Sequence, residues 1–376
     1  HVMTIRRIVL ALAAPVGAFA FSIALSSLVL LAVGTSPMEA WLEMLSYGSR
    51  LETLVETGNR ATQLYLAGIA VAIGFRMNLF NIGVEGQYGL AAILAASAGA
   101  AVDLPPVLHV MLIMVVAMAV GSTFAGVAGY LKVSRGVHEV ISTIMLNAVA
   151  LGLVGFFLRT WLLDEADTTL NMKTPEIPPS GRFPNLNGVV ETFTREISRG
   201  RELWGFLLVA ILVGVLFHLF LSRTRAGYDL RATGLNPFAA EASGVDPSAT
   251  VVKAMLLSGA VAGLIGLPEI LGHAHSYDLA FTRGLGFAGI AVALVGRNHP
   301  AGVGIAAILF GWLDSAAPIL DVVGDTPREI VSILQGVVVL SAVVAFEVVS
   351  RIRRAAEARD AAEATRSSAT TSGSPS

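Results

Sequence analysis

The chain has 376 residues, of which 55% are hydrophobic and only 14% charged, and its mean hydropathy is +0.72, a balance that no water-facing globular surface accommodates. A net charge of −2 excludes a bulk nucleic-acid role, and the absence of cysteine excludes a disulfide framework or a thiolate metal site. What remains is an all-α polytopic membrane protein.

His1 and Val2 precede Met3 and read as residues foreign to the natural start. A window of about 20 apolar residues, the length that crosses a bilayer as a helix, predicts about ten transmembrane helices. The first, 8–33, follows Arg6 and Arg7 like a signal peptide, but its apolar run is too long for one and it is read as a retained helix. The others fall at 61–78, 84–102, 107–131, 138–161, 203–221, 251–271, 282–297, 300–320 and 329–350. The 162–202 connection is acidic and Pro-rich, with Trp161 and Trp204 placed as interfacial anchors. The tail 355–376 is rich in Ala, Ser and Thr and is expected to be disordered and cytoplasmic, after a membrane domain covering 1–354.

Two segments repeat. Residues 67–76 read AGIAVAIGFR and 288–297 read AGIAVALVGR, and a second pair follows in the same order, GLAAILAA at 89–96 and GIAAILFG at 304–311. An internal repeat with polar interruptions predicts broken helices around a central cavity, with Gly68 and Gly289 as equivalent close-packing positions and the two blocks on opposite sides of the cavity. Placing the N-terminus inside puts 15 of the 25 basic residues on the inner side, so both termini are expected to be cytoplasmic and the two blocks to run in the same direction.

Several chemistries are missing. The three lysines, Lys132, Lys173 and Lys253, stand in no Gly-rich phosphate loop, and neither HExxH nor GxSxG occurs, so no nucleotide site, catalytic residue or metal site is expected. Gly284, Gly286 and Gly289 spell GxGxxG but enter an apolar span, where packing or a helix break explains them better than a dinucleotide. His273 and His275 lack enough neighbouring donors for a metal. Gly259 and Gly263 form a GxxxG face suited to helix contact.

Polar residues at membrane depth are the candidates. FNIGVEGQ at 80–87 sets Asn81, Glu85 and Gln87 between two spans with almost no loop, and Asn147 lies mid-span. Such groups either line a cavity or hold an irregular backbone, and both readings stand. Glu85 is expected to pair with Arg76 or Gln87. Phe75, Phe80, Asn78, Asn81, Gln87 and Asn147 supply the aromatic and amide groups that suit a nucleobase.

The strings FNIGVEGQ, HEVISTIMLN at 138–147 and GFAGIAVALVGRNHP at 286–300 resemble the permease subunits of ABC importers in the branched-chain amino acid, ribose and simple sugar superfamily, nearest to its nucleoside branch. The inner segment GLNPFAAEASGVD at 234–246, within a cytoplasmic loop 222–250, is similar to that superfamily's coupling element. The resemblance implies that Asn236, Pro237, Ala239, Ala240, Glu241, Gly244 and Asp246 dock on an ABC ATPase subunit, with Ala239 and Ala240 packed in its groove. ATP and magnesium would be held by that partner and no cofactor by this chain. It further implies a second homologous permease subunit, an extracytoplasmic substrate-binding protein, a bacterial inner-membrane location, and a solute path past Phe75, Asn78, Asn81, Glu85, Gln87 and Asn147. A sugar or branched-chain amino acid permease is the alternative within the class. An ion-coupled secondary carrier, using Glu85 or Glu269, is the alternative outside it.

Overall fold

Apolar runs punctuated by Pro, Gly and Asn become helices in the computed structural model, which describes residues 20–164, 172–188, 202–323 and 332–341 and the single positions 17, 191, 330 and 344. The predicted tail 355–376, the first nine residues of the predicted span 8–33, and parts of 162–202 and 329–350 lie outside the described residues. Contacts divide the chain into two units, 45–318 and the pair of terminal segments 1–44 and 319–376.

In the terminal unit, α1 (Ala20–Ala32) breaks at Gly34, whose φ of 85° is left-handed, and α2 (Pro37–Gly48) leaves it at 114°. The indole of Trp41 donates to Ser27 Oγ at 3.2 Å across the bend. The sequence pattern did not foresee α2.

The larger unit is built on α3 (Leu51–Phe75), in which every residue from Ala61 to Gly74 except Tyr65 is buried. Its interior threonines Thr57 and Thr62 satisfy their hydroxyls on the carbonyls of Thr53 and Gly58, which is how a buried helix tolerates them. Around it stand α4 (Val84–Ala100), α5 (Pro106–Arg135), α6 (Glu139–Thr160), α7 (Phe206–Arg223), α8 (Arg225–Leu235), α9 (Pro237–Ala242), α10 (Pro247–Gly263), α11 (Leu285–Val295) and α12 (Pro300–Ala316). A short helix α13 (Pro318–Val323) and α14 (Ser332–Ser341) follow in the chain and belong, from residue 319 on, to the terminal unit.

Five helical stretches among the described residues are long and apolar enough to cross a membrane, and the bent α1–α2 pair makes a sixth. In α5 and α6 only 22% of the apolar window is buried, against 67% for the stretch Pro247–Ala274, so α5 and α6 are peripheral with apolar faces outward and α10 is central. The sequence count of ten includes α4 and α11, which are too short alone, and α3, whose apolar run is diluted by Asn59, Arg60 and Gln63. α5 and α10 approach closely at Gly121, which faces Gly259 and Gly263, so the GxxxG face meets a third glycine.

The two repeat blocks lie in α3 and α11 and touch directly instead of facing each other across a cavity. A Cβ on Gly289 would meet Ala67 at 2.7 Å, and one on Gly68 would meet Val292 at 2.9 Å. Gly311 of α12 packs on Thr57 and Ala61 while Val303 packs on Gly68, so α12 runs antiparallel to α3. Because Gly296 folds α11 back on α12 at Gly302 and Val303, α11 runs parallel to α3, the direction expected of the repeat. Both blocks end in the same kind of stop: Leu79 N–H bonds Gly74 O with Asn78 at φ 58°, and Asn298 N–H bonds Ala293 O with Arg297 at φ 56°. Gly289→Leu is expected to push α11 off α3 and lower the thermal midpoint in detergent, an overpacking cost of about 3 kcal/mol. An unchanged midpoint would contradict the contact.

Candidate functional site

Where α3 stops, residues 76–83 cross to α4 without regular structure, and the polar residues of FNIGVEGQ satisfy that backbone. Asn81 and Gln87 pair through their amides at 2.9 and 3.0 Å; Asn81 Nδ2 also donates to Ser258 Oγ at 2.8 Å, and Asn81 Oδ1 accepts from Gly83 N–H at 3.1 Å. Two donors and two acceptor positions are thus all used, and Asn81 is 1% exposed. Ser258 passes the network to the Ala70 carbonyl of α3 at 2.7 Å. Asn147 of α6 receives Gly86 N–H and donates to Ile82 O, each at 2.9 Å, fastening the start of α4. Phe75 and Phe80 meet edge to face at 5.0 Å, and Asn78 is exposed in its left-handed conformation. Glu139, ion-paired with Lys132, accepts the Phe80 N–H at 3.4 Å.

Glu85 pairs with neither Arg76 nor Gln87. Its carboxylate accepts Gly284 N–H at 2.7 Å and Gly286 N–H at 2.9 Å, with the Tyr88 hydroxyl at 3.1 Å, so a protein carboxylate occupies the N-terminus of α11. The free N–H groups and the dipole at a helix start favour a negative charge there. The GxGxxG spacing therefore receives an internal anion. Gly284 takes a φ of 87°, Gly286 lies against the Glu85 backbone where a Cβ would collide, and Gly289 meets Ala67. Arg76 turns the other way and donates to the Asn298 carbonyl at 3.0 Å, joining the two helix stops.

Against that break packs α8, whose Gly234 lies on the Arg76 carbonyl and on Met77. The next short helix, α9, is capped by Asn236, whose Oδ1 accepts the Phe238 and Ala239 N–H groups at 3.1 and 3.2 Å, with Pro237 at its first position. Gly244, at φ 84°, closes it as Val245 N–H bonds Ala240 O, and Asp246 then caps α10 through Ser248 and Ala249. Ala239 and Glu241 are exposed, whereas Ala240 is 3% exposed and packs within this chain. The apolar side chains that stand out are Leu235 at 89% and Phe238 at 83% exposure.

At the far end of α3, roughly 24 Å from the break at the helical rise per residue, lies a cavity of about 430 Å³. None of the six residues predicted for a solute path lines it. It is walled instead by Asn59, Arg60 and Gln63 of α3, by Asp314 and Ser315 of α12, and by the extension of α10. That extension turns at Leu264–Gly266, resumes at Leu267–Glu269 and ends in a π-helical turn, Ile270–Ala274, a geometry that re-aims side chains and recurs at functional sites. Arg60 Nε meets Asp314 Oδ2 at 3.1 Å, and Gln63 Nε2 donates to Glu269 Oε2 at 3.2 Å. Asn59 bridges the Glu202 carbonyl and the Trp204 N–H at 2.8 and 2.9 Å. Trp204, expected at the membrane interface, stacks on the His273 ring with centroids 6.2 Å apart. His275 closes the π turn at φ 55°, and burial, then the charge of Arg182, keeps its imidazole below the usual range. The Pro-rich segment 172–188 is held to this wall by Thr174 N–H on Tyr277 O, Ile177 N–H on His275 O and Phe183 N–H on Leu271 O. Among the described residues no three His, Asp or Glu side chains gather as a metal site requires.

The sequence reading missed Asn59 and Arg60 because it started the span at 61, treating polar residues as a boundary, and it passed over Gln63 inside that span. Their spacing carries the missing signal: positions 59 and 63 lie one helical turn apart on the face that continues into the apolar block.

Apolar helices wrapped around a broken, internally hydrogen-bonded polar centre define a multi-pass membrane protein. The chain belongs to the family described as branched-chain amino acid transport system, permease component, which it matches over residues 53–343. It is 35% identical to the guanosine ABC transporter permease protein NupP of Bacillus subtilis over 76% of this chain and 79% of that protein. It is 30% identical to the nucleoside ABC transporter permease protein NupB of Lactococcus lactis, covering 86% and 88% of the two chains. It is 31% identical to the glucose ABC transporter permease protein TsgB13 of Haloferax volcanii, covering 88% and 87%.

Proposed function

We propose that this chain is the membrane-spanning subunit of an ATP-driven importer that takes up nucleosides. The observation that carries the solute class is its similarity, over most of both chains, to two permeases named for guanosine and for nucleosides. In this reading 1–354 is the permease domain with an outer loop at 162–202 and a cytoplasmic loop at 222–250, and 355–376 is a cytoplasmic tail. Both termini face the cytoplasm of a bacterial inner membrane. The α8–α9 element docks on a separate ATPase subunit that holds ATP and magnesium; a second permease completes the path and a binding protein delivers solute from outside. α3 connects the cavity to the α8 contact, since its N-terminal half walls the cavity and its C-terminal stop carries Gly234 of α8. ATP binding at the partner shifts the population between outward- and inward-open states through that contact.

A second reading, sugar import, is favoured by the glucose permease relative. Proteoliposomes holding the whole importer separate the two. Labelled guanosine is expected to enter with ATP whether or not the proton gradient is dissipated. Entry of glucose without guanosine would replace the solute, and uptake that follows the proton gradient at constant ATP would replace the class.

A further inference from the structure

The geometry points to the cavity beside Gln63 and Ser315 as a binding site for an uncharged, donor-rich solute that excludes phosphorylated and carboxylate-bearing ones. Gln63 is 2% exposed and Ser315 is 5% exposed, yet both line the open space. The Gln63 amide nitrogen is committed to Glu269, which fixes the orientation of the amide. Its Oε1 and the Ser315 hydroxyl make no hydrogen bond among the described residues, and neither atom is sealed from the cavity. Buried polar groups left with spare capacity at the wall of a polar cavity are satisfied by what enters it.

The charge of the wall selects the occupant. Among the described residues that line it, Glu56, Glu202, Glu269 and Asp314 stand with one guanidinium, Arg60, which is held by Asp314 at 3.1 Å. Among these described groups the one guanidinium is already paired, and the acidic residues outnumber it, which disfavours an anionic solute. Acceptors outnumber donors, so a solute bearing several hydroxyl and N–H donors is matched. The Trp204–His273 stack adds a flat apolar surface beside them. An unphosphorylated nucleoside has these features, and this identification rests on the nucleoside reading above; the selection against anions does not.

The cysteine-free chain allows a direct test. Ser315→Cys, in the assembled importer in nanodiscs with binding protein and ATP, is treated with cationic and anionic methanethiosulfonates and the modified chain is measured by mass. The cationic reagent is expected to react about tenfold faster, relative to a free thiol, in a cavity of this charge. Guanosine is expected to protect, while guanosine 5′-monophosphate and leucine do not. Gln63→Leu is expected to weaken that protection about tenfold through the lost polar contact. If Ser315→Cys fails to assemble, the same rates are read at Thr282→Cys, on the same wall. Equal rates for the two reagents, protection by the monophosphate or leucine, or no protection by any solute overturns the proposal. Protection by glucose without guanosine, with the charge preference intact, upholds the site and overturns the nucleoside reading.

Discussion

Glu85→Ala is expected to lower the stability of the folded chain by about 3 kcal/mol, because two part-buried backbone N–H groups at the start of α11 lose a charged acceptor together. That is a large fraction of the margin by which a typical domain is folded. The effect is expected as a lower thermal midpoint in detergent and reduced membrane yield. Glu85→Gln keeps one acceptor oxygen and is expected to cost about half as much, since the amide retains a hydrogen bond but not the charge that suits a helix start. Uptake by the surviving Gln variant should show no new pH dependence, because Glu85 serves backbone donors and relays no proton. A wild-type midpoint in the Ala variant would refute the anchoring role. Collapse of uptake on dissipating a proton gradient at constant ATP would revive the carrier reading.

Phe238→Asp is expected to abolish ATP-driven uptake while leaving the protein inserted and folded. The side chain is 83% exposed in the isolated chain, so a charge there costs its own fold little. An aromatic residue at the centre of a docking surface commonly carries more than about 2 kcal/mol of the binding energy, and an aspartate in its place would be buried without a partner. Ala239 is the second position to test, being exposed on the same short helix. Ala240 is unsuitable, because its burial within this chain makes a charged variant a folding defect. Co-purification with the ATPase is the direct measurement, and retained co-purification and uptake in Phe238→Asp would remove the coupling role from 236–246.

Asn236-Pro237 sets the start of α9 and Asp246-Pro247 the start of α10, features legible in the chain because caps and first-turn prolines act within four residues and need no distant partner. The GxxxG pair Gly259 and Gly263 was readable as a contact face for the same local reason, although its partner Gly121 was not. Glu85 was misassigned because two of its three partners lie about 200 residues away and are backbone N–H groups, which leave no trace in side-chain chemistry. Asn81 was left between two readings, and only the count of its bonds to Gln87, Gly83 and Ser258 shows its capacity to be spent.

By itself the sequence determined the membrane class, the repeat, the local helix stops and the family resemblance, since each depends on composition or on neighbours in the chain. Only the tertiary structure decided that α3 extends back to Leu51 and carries Asn59, Arg60 and Gln63 to the wall of a cavity. A hydropathy window averages along one helix. Whether a polar residue in that helix faces lipid, a packed neighbour or an open space depends on helices brought from elsewhere in the chain, here α12 and the π turn at Ile270–Ala274.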